Sequence, residues 1–186
     1  MSDEEFPILN KIHTIVFDFD GIFTDNKVWV DQNGVESVRC DRSDGLAFDI
    51  LRRYESIHSL DIDYFILSSE SNPVVSSRAK KIKLNVHHGV KDKKSFMEAY
   101  LTKKFSEKED LFSGVIYLGN YFHDIPVMRL AGFSVAPSDA HPMVKSLASC
   151  VLTQKGGEGF VRAFIEKLLV INKLNLEEID ELISNC

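Results

Sequence analysis

Cysteine, basic charge and long apolar runs are what this chain has little of, and each shortage excludes a class of protein. Its three cysteines, Cys40, Cys150 and Cys186, are odd in number and show no C-x-x-C spacing. That argues against a disulfide framework and a zinc site, and for ordinary thiols in a reducing compartment. Lys and Arg total 22 against 28 Asp and Glu, a formal charge of -6, so neither a nucleic-acid groove nor a cationic membrane face is expected. No stretch approaches the ~18 apolar residues of a membrane span. Residues 1–10 carry three acids and Pro7 where an export signal has a basic and then an apolar segment. Repeats, low-complexity tracts and linkers are also missing. The expectation is a cytoplasmic protein whose partner is a small molecule or another copy of itself.

What is present is a chain of 186 residues that is 44% hydrophobic, enough to bury one core in one domain covering residues 1–186. Short apolar runs alternate with helical periodicity, which predicts an α/β fold with a parallel sheet flanked by helices. Strands are predicted over residues 13–17, 62–67, 85–87, 115–118, 133–136 and 150–152. Between them, helices are predicted from Asp44, from Asn72-Pro73 as cap and first turn through 82, around 96–101, and over 125–131 ending at Gly132. Gln32-Asn33-Gly34 between the strand-like runs 27–30 and 35–40 predicts a hairpin insertion over about 26–41. The chain ends in a helical segment over about 159–186, after Gly156-Gly157-Glu158-Gly159, with helical periodicity over 160–171 and 176–183.

In an open parallel sheet, chemistry gathers at the carboxyl ends of the strands. The first strand runs into Asp18-Phe19-Asp20-Gly21-Ile22-Phe23-Thr24-Asp25. Two acids one residue apart share a face of an ideal strand and repel unless a cation sits between them. Other polar strand ends are Ser68-Ser69-Glu70, Lys91-Asp92-Lys93, and Gly119-Asn120-Tyr121-Phe122-His123-Asp124. A D-x-D pair alone is equally a solvated strand end; the full D-x-D-G-x-x-T-D string is not.

That string resembles the first motif of the haloacid dehalogenase superfamily, and Ser68, Lys93 and the segment 118–124 resemble its second, third and fourth motifs in order. The resemblance implies a Rossmann-like haloacid dehalogenase fold with the hairpin in place of a cap domain. It implies Asp18 as nucleophile, Asp20 as proton shuttle, Ser68 as a phosphoryl contact and Lys93 as charge balance. Thr24 and Ser69, within the same motifs, are implied substrate contacts. Magnesium is the implied cofactor, held by Asp18, the Asp20 carbonyl and Asn120; Asp124 holds a metal-bound water or orients Lys93.

The hairpin, Asp44-Gly45-Leu46, Asp139-Ala140-His141-Pro142 and residues 156–162 resemble the nearly capless branch containing 3-deoxy-octulosonate 8-phosphate phosphatase and its nine-carbon, sialic acid-type relatives. The implied partner is a small sugar-acid phosphate, and the implied assembly is a homotetramer in which neighbours help to close each site. Glu70, Arg78 and Lys81 resemble the nine-carbon type, with Arg78 and Lys81 on one helical face for a substrate carboxylate. The other reading of Lys81 is a solvated helix position. Asn120 departs from the acid expected there and lowers the expected metal affinity. A Gly-Asn pair also occurs in the phosphatase-like carboxyl-terminal domain of vertebrate sialic acid cytidylyltransferases, which makes a non-catalytic oligomerisation module the second reading. Asp44 reaches either the site or a subunit contact, His87 and His88 either rim the pocket or lie on the surface, and His123 lines the entrance. Phe17, Phe19 and Phe23 are expected in the core.

Overall fold

A computed structural model describes residues 6–106 and 110–183. Its centre is a parallel sheet of six strands in the order β5-β4-β1-β6-β7-β8, with β1 at Thr14–Phe17, β4 at Asp63–Leu67, β5 at Asn85–His87, β6 at Val115–Leu118, β7 at Phe133–Ala136 and β8 at Cys150–Val151. β1 pairs with β4 and β6 in register, Phe17 opposite Ile66 and Leu118. β1 and β6 are buried along their whole length, as strands covered by helices on both faces must be.

Alternation along the strands splits the interior in two. Ile15, Phe17, Ile66, Ile116 and Leu118 point into a core completed by Phe48 and Leu51 of α1 (Ser43–His58), Val75 and Ala79 of α2 (Val74–Lys81), and Phe160, Phe164 and Ile165 of α6 (Phe160–Leu168). Val16, Phe65, Leu67 and Tyr117 point to the other face. There they meet Met97 and Leu101 of α3 (Lys93–Lys104), Val127 and Met128 of α4 (Ile125–Met128), and Val144 of α5 (Pro142–Leu147). Phe17, Phe19 and Phe23 are fully buried, as expected. A last helix, α7 (Leu176–Ile183), packs on α1.

β2 (Thr24–Val30) and β3 (Glu36–Cys40) form a separate antiparallel hairpin. Its turn is closed by Asp31, whose Oδ1 accepts from the amides of Asn33 (2.8 Å) and Val35 (2.9 Å), and Gly34 takes φ +77°. The hairpin carries Val28, Trp29, Val30 and Val35 exposed.

Three expectations are corrected. α5 was not predicted, because Val144 is its only buried residue and it shows no apolar period. The helix expected over 125–131 stops as α-helix at Met128, where an i+3 bond from the Leu130 amide to Val127 tightens the turn. Gly132 stays a necessary stop, since a Cβ there would fall 2.0 Å from the Ser113 carbonyl oxygen. The helix expected from 160 to 171 ends at Leu168, broken by Val170 at φ +54°. Neither Cys40 nor Cys150 is disulfide-bonded, and the Lys167 ammonium approaches Cys150 Sγ at 4.0 Å; Cys186, with residues 184–185 of the expected terminal helix and the first five of the amino-terminal segment, lies outside the described residues. Among the described residues no helix is long and apolar enough to cross a membrane.

Candidate active site

The carboxyl ends of β1, β4 and β6 converge on a cavity of about 250 Å³ whose lining includes Asp18, Asp20, Ser69, Lys93 and Asn120. The Asp18 amide extends the β1–β6 ladder by donating to the Leu118 carbonyl (2.9 Å), which fixes this carboxylate at the sheet edge. The chain then turns through Gly21 at φ +78°, where a Cβ would lie 1.9 Å from Asn120 Nδ2. Only glycine lets the Asp20 loop lie so close to Asn120. Thr24 Oγ1 holds the loop, accepting from the amides of Gly21 and Asn26 and donating to Asp20 Oδ1 at 3.3 Å. Thr24 is therefore placed to orient Asp20.

Lys93 enters from the first turn of α3, capped by Asp92 accepting from the Ser95 amide. Its buried ammonium donates to Asp18 Oδ1 (2.7 Å) and Asp124 Oδ1 (2.8 Å). Burial opposes this charge, but the two carboxylates outweigh it and hold the Lys93 pKa above the ordinary lysine value. One cation shared by two buried carboxylates leaves a negative excess. Burial, and next the charge of Asp124, accordingly raise Asp18 to about 7 against the pull of Lys93. Asp20 is raised too, chiefly by burial, with the Thr24 hydroxyl opposing.

Asp124 has no oxygen left over. Oδ1 also accepts from the Tyr117 hydroxyl (2.8 Å), and Oδ2 accepts from the amides of Asn120 and Tyr121 (2.9 and 3.1 Å). Of the two expected roles, this geometry favours orienting Lys93. Sequence reasoning missed Asn26, which lines the cavity, and Tyr117, which supports it from behind through Asp124. Tyr117 reads as strand core, and the only signal was a hydroxyl in a fully buried strand, which needs a partner. Ser68 is buried, with Oγ accepting from the Glu70 amide (3.1 Å), and Glu70 Oε1 accepts from the Ser71 and Asn72 amides.

Arg78 and Lys81 are not brought to this cavity by a single chain. Together they line a different cleft, with Leu46 and Arg52, and Arg78 Nη2 donates to the Asp41 carbonyl at 2.6 Å. α2 begins only at Val74, so these residues sit one to two turns along it, beyond the strand end. His87 neither rims the cavity nor stands free; it packs against the rings of Phe65 and Phe96, and burial lowers its pKa. His123 lines the cavity, as expected.

Among the described residues no group of three His, Cys, Asp or Glu side chains is arranged to hold a metal. The donors that line the cavity suit a hard divalent cation: the Asp18 and Asp20 carboxylates and the Asn120 amide oxygen. Asn120 Oδ1 is buried without a partner, and the negative excess around Lys93 is what such a cation would balance.

The chain belongs to the haloacid dehalogenase (HAD) superfamily. A solved structure assigned to the HAD hydrolase family from Streptomyces avermitilis is 34% identical, with a TM-score of 0.81 over 94% of this chain and 95% of that one. The 3-deoxy-D-manno-octulosonate 8-phosphate phosphatase of Yersinia pestis is 27% identical over 171 residues, 91% of this chain and 86% of that protein. The Moraxella catarrhalis phosphatase of the same name, solved with magnesium, phosphate and its octulosonate, is 26% identical with a TM-score of 0.75, covering 87% of this chain and 88% of that one. No family model matches the chain.

Proposed function

We propose that this chain is a magnesium-dependent phosphomonoesterase acting on an 8- or 9-carbon ulosonic, sialic acid-type sugar phosphate. The observation that carries the reading is the Lys93 ammonium joining Asp18 to Asp124 beside Asp20 and the unpartnered Asn120 oxygen. The relatives named as octulosonate 8-phosphate phosphatases support the substrate class.

Asp18 is the nucleophile. Its free oxygen attacks phosphorus in line as the ester P–O bond breaks, and Asp20 gives its proton to the departing sugar oxygen. Burial raises the pKa of Asp20, which favours its protonated form relative to an ordinary aspartate. Asp20 then takes a proton from water, whose oxygen attacks the aspartyl phosphate. Inorganic phosphate leaves and the Asp18 carboxylate returns. Lys93 offsets the repulsion between carboxylate and phosphate dianion, Asp124 and Tyr117 hold Lys93 in place, and Ser68 and Ser69 contact the phosphoryl oxygens. Magnesium would be held by Asp18, the Asp20 carbonyl and Asn120, and when bound supplies positive charge to the transferring group.

The working form is a homotetramer. The exposed Val28, Trp29, Val30 and Val35 of the hairpin support burial against another copy. A neighbour is also the means by which Arg78 and Lys81 meet the substrate carboxylate beside Glu70. Phosphate release from a panel of 8- and 9-carbon ulosonate phosphates, with and without magnesium, tests the whole reading. Absence of turnover on all of them at saturating metal would replace it with a structural module.

A further inference from the structure

Asp44 stands at the start of α1, fully buried, outside the catalytic cavity. Its carboxylate takes no part in closing the start of its own helix, where Asp41 Oδ1 accepts from the Ser43 amide (2.8 Å) and hydroxyl (2.6 Å). Burial, then Asp41, raise its pKa to about 7, opposed by the Arg162 amide and by the charges of Arg78 and Arg162. Its Oδ2 has no partner. A carboxylate kept under such conditions must earn its place through Oδ1, which accepts the Arg162 amide at 2.9 Å across 118 positions of sequence.

Arg162 lies in the first turn of α6, where amides have no partner within the helix. The α6 cap is Gly159, at φ +74° and without a side chain to accept from them. Asp44 therefore caps α6 from another element, in the manner of an N-cap carboxylate.

The start of α6 is the rear support of the catalytic loop. Just before it, the Gly157 amide donates to the Ile22 carbonyl at 3.1 Å. A Cβ on Gly156 would fall 2.0 Å from the Gly21 carbonyl oxygen, and one on Gly157 2.4 Å from the Thr24 carbonyl carbon. The glycine turn and residues 21–24 are thus packed backbone on backbone, and Thr24 holds Asp20. We propose that Asp44 is a positioning residue for the proton shuttle, acting through the first turn of α6 and the Gly156-Gly157 turn to set the Asp20 loop. The inference rests on the reading of Asp20 as shuttle.

Its test exploits the dependence of acid catalysis on the leaving group. A displaced proton donor slows expulsion of a poor leaving group more than a good one. The parent, Asp44→Asn, Asp44→Leu, Asp44→Ala and Asp20→Asn are compared on 4-nitrophenyl phosphate and phenyl phosphate, with magnesium present. Asn keeps the acceptor for Arg162; Leu fills the space without one. Asp44→Leu and Asp44→Ala should lose roughly tenfold more kcat on phenyl phosphate than on 4-nitrophenyl phosphate, with KM nearly constant, and Asp44→Asn should stay within about twofold of the parent. Equal losses on both esters, an Asn variant as impaired as Leu, or failure of both Leu and Ala to fold would each overturn the proposal. Asp20→Asn shows the same bias, larger; an unbiased Asp20→Asn would instead refute the shuttle assignment itself.

Discussion

Replacing Asn120 by Asp adds one charge and almost no volume to a site whose charge balance is already strained. Asn120 is buried, with Oδ1 unpartnered and Nδ2 against Gly21, so the isosteric change leaves the packing alone. Without metal, three carboxylates would share the one Lys93 ammonium, and Asp18, already raised to about 7, would rise further. The metal-free fold should lose roughly 1–3 kcal/mol at pH 8. Magnesium binding works in the opposite direction. A charged ligand contact in place of a neutral one is worth about 1.5–3 kcal/mol, or roughly ten- to hundred-fold in apparent metal affinity. At metal concentrations well above both dissociation constants, linkage adds about 1.4–2.7 kcal/mol, which offsets the metal-free loss; the magnesium-induced rise in midpoint should exceed the parent's by about 3–10 °C for a chain of this size. Thermal melts across a magnesium titration, with phosphate release from an aryl phosphate in parallel, measure both halves. Unchanged metal dependence in an active pair would refute Asn120 as a ligand, and two inactive proteins would favour the structural module.

Asp18→Asn should abolish turnover with the fold intact; more than a few per cent of the parent rate would rule Asp18 out as nucleophile. Lys93→Met leaves Asp18 and Asp124 buried without their cation and should cost about 3–5 kcal/mol in urea unfolding at pH 8, with a loss under about 1 kcal/mol as the contrary result. Because the folded-state pKa of Asp44 is raised from 3.8 to about 7, the native state keeps a proton that the unfolded chain has released, and this group's contribution falls as pH climbs from about 4 to 7. Asp44→Asn should therefore reduce the pH slope of stability in that window and gain most above it; an unaltered slope would contradict the assignment. Trp29, exposed on the hairpin, should sit in the subunit contact, so Trp29→Glu should lower the tetramer mass by light scattering, and a parent that is already a monomer would remove the assembly.

The sheet was legible because its strands are short, apolar and wholly buried, a pattern local to each segment. The hairpin was legible because its turn chemistry lies within a few residues. The same holds for the acids after β1, Ser68 after β4, Lys93 at α3 and the 119–124 segment after β6, since the topology of a parallel sheet brings strand ends together whatever the loops do. Which side chains share a proton or a charge there depends on distances across the sheet. Tyr117 on Asp124 and Lys93 between two carboxylates are contacts spanning 7 to 75 residues, and no local period encodes them. Arg78 and Lys81 share a helical face in sequence, yet the direction α2 takes after Pro73 carries them into another cleft. Asp44 shows the division most clearly. Its position in an Asp-Gly-Leu string marked it, but only the packing of α1 against α6 reveals that its carboxylate caps a helix 118 residues away, because a hydrogen bond between distant segments exists only once the core has brought them together.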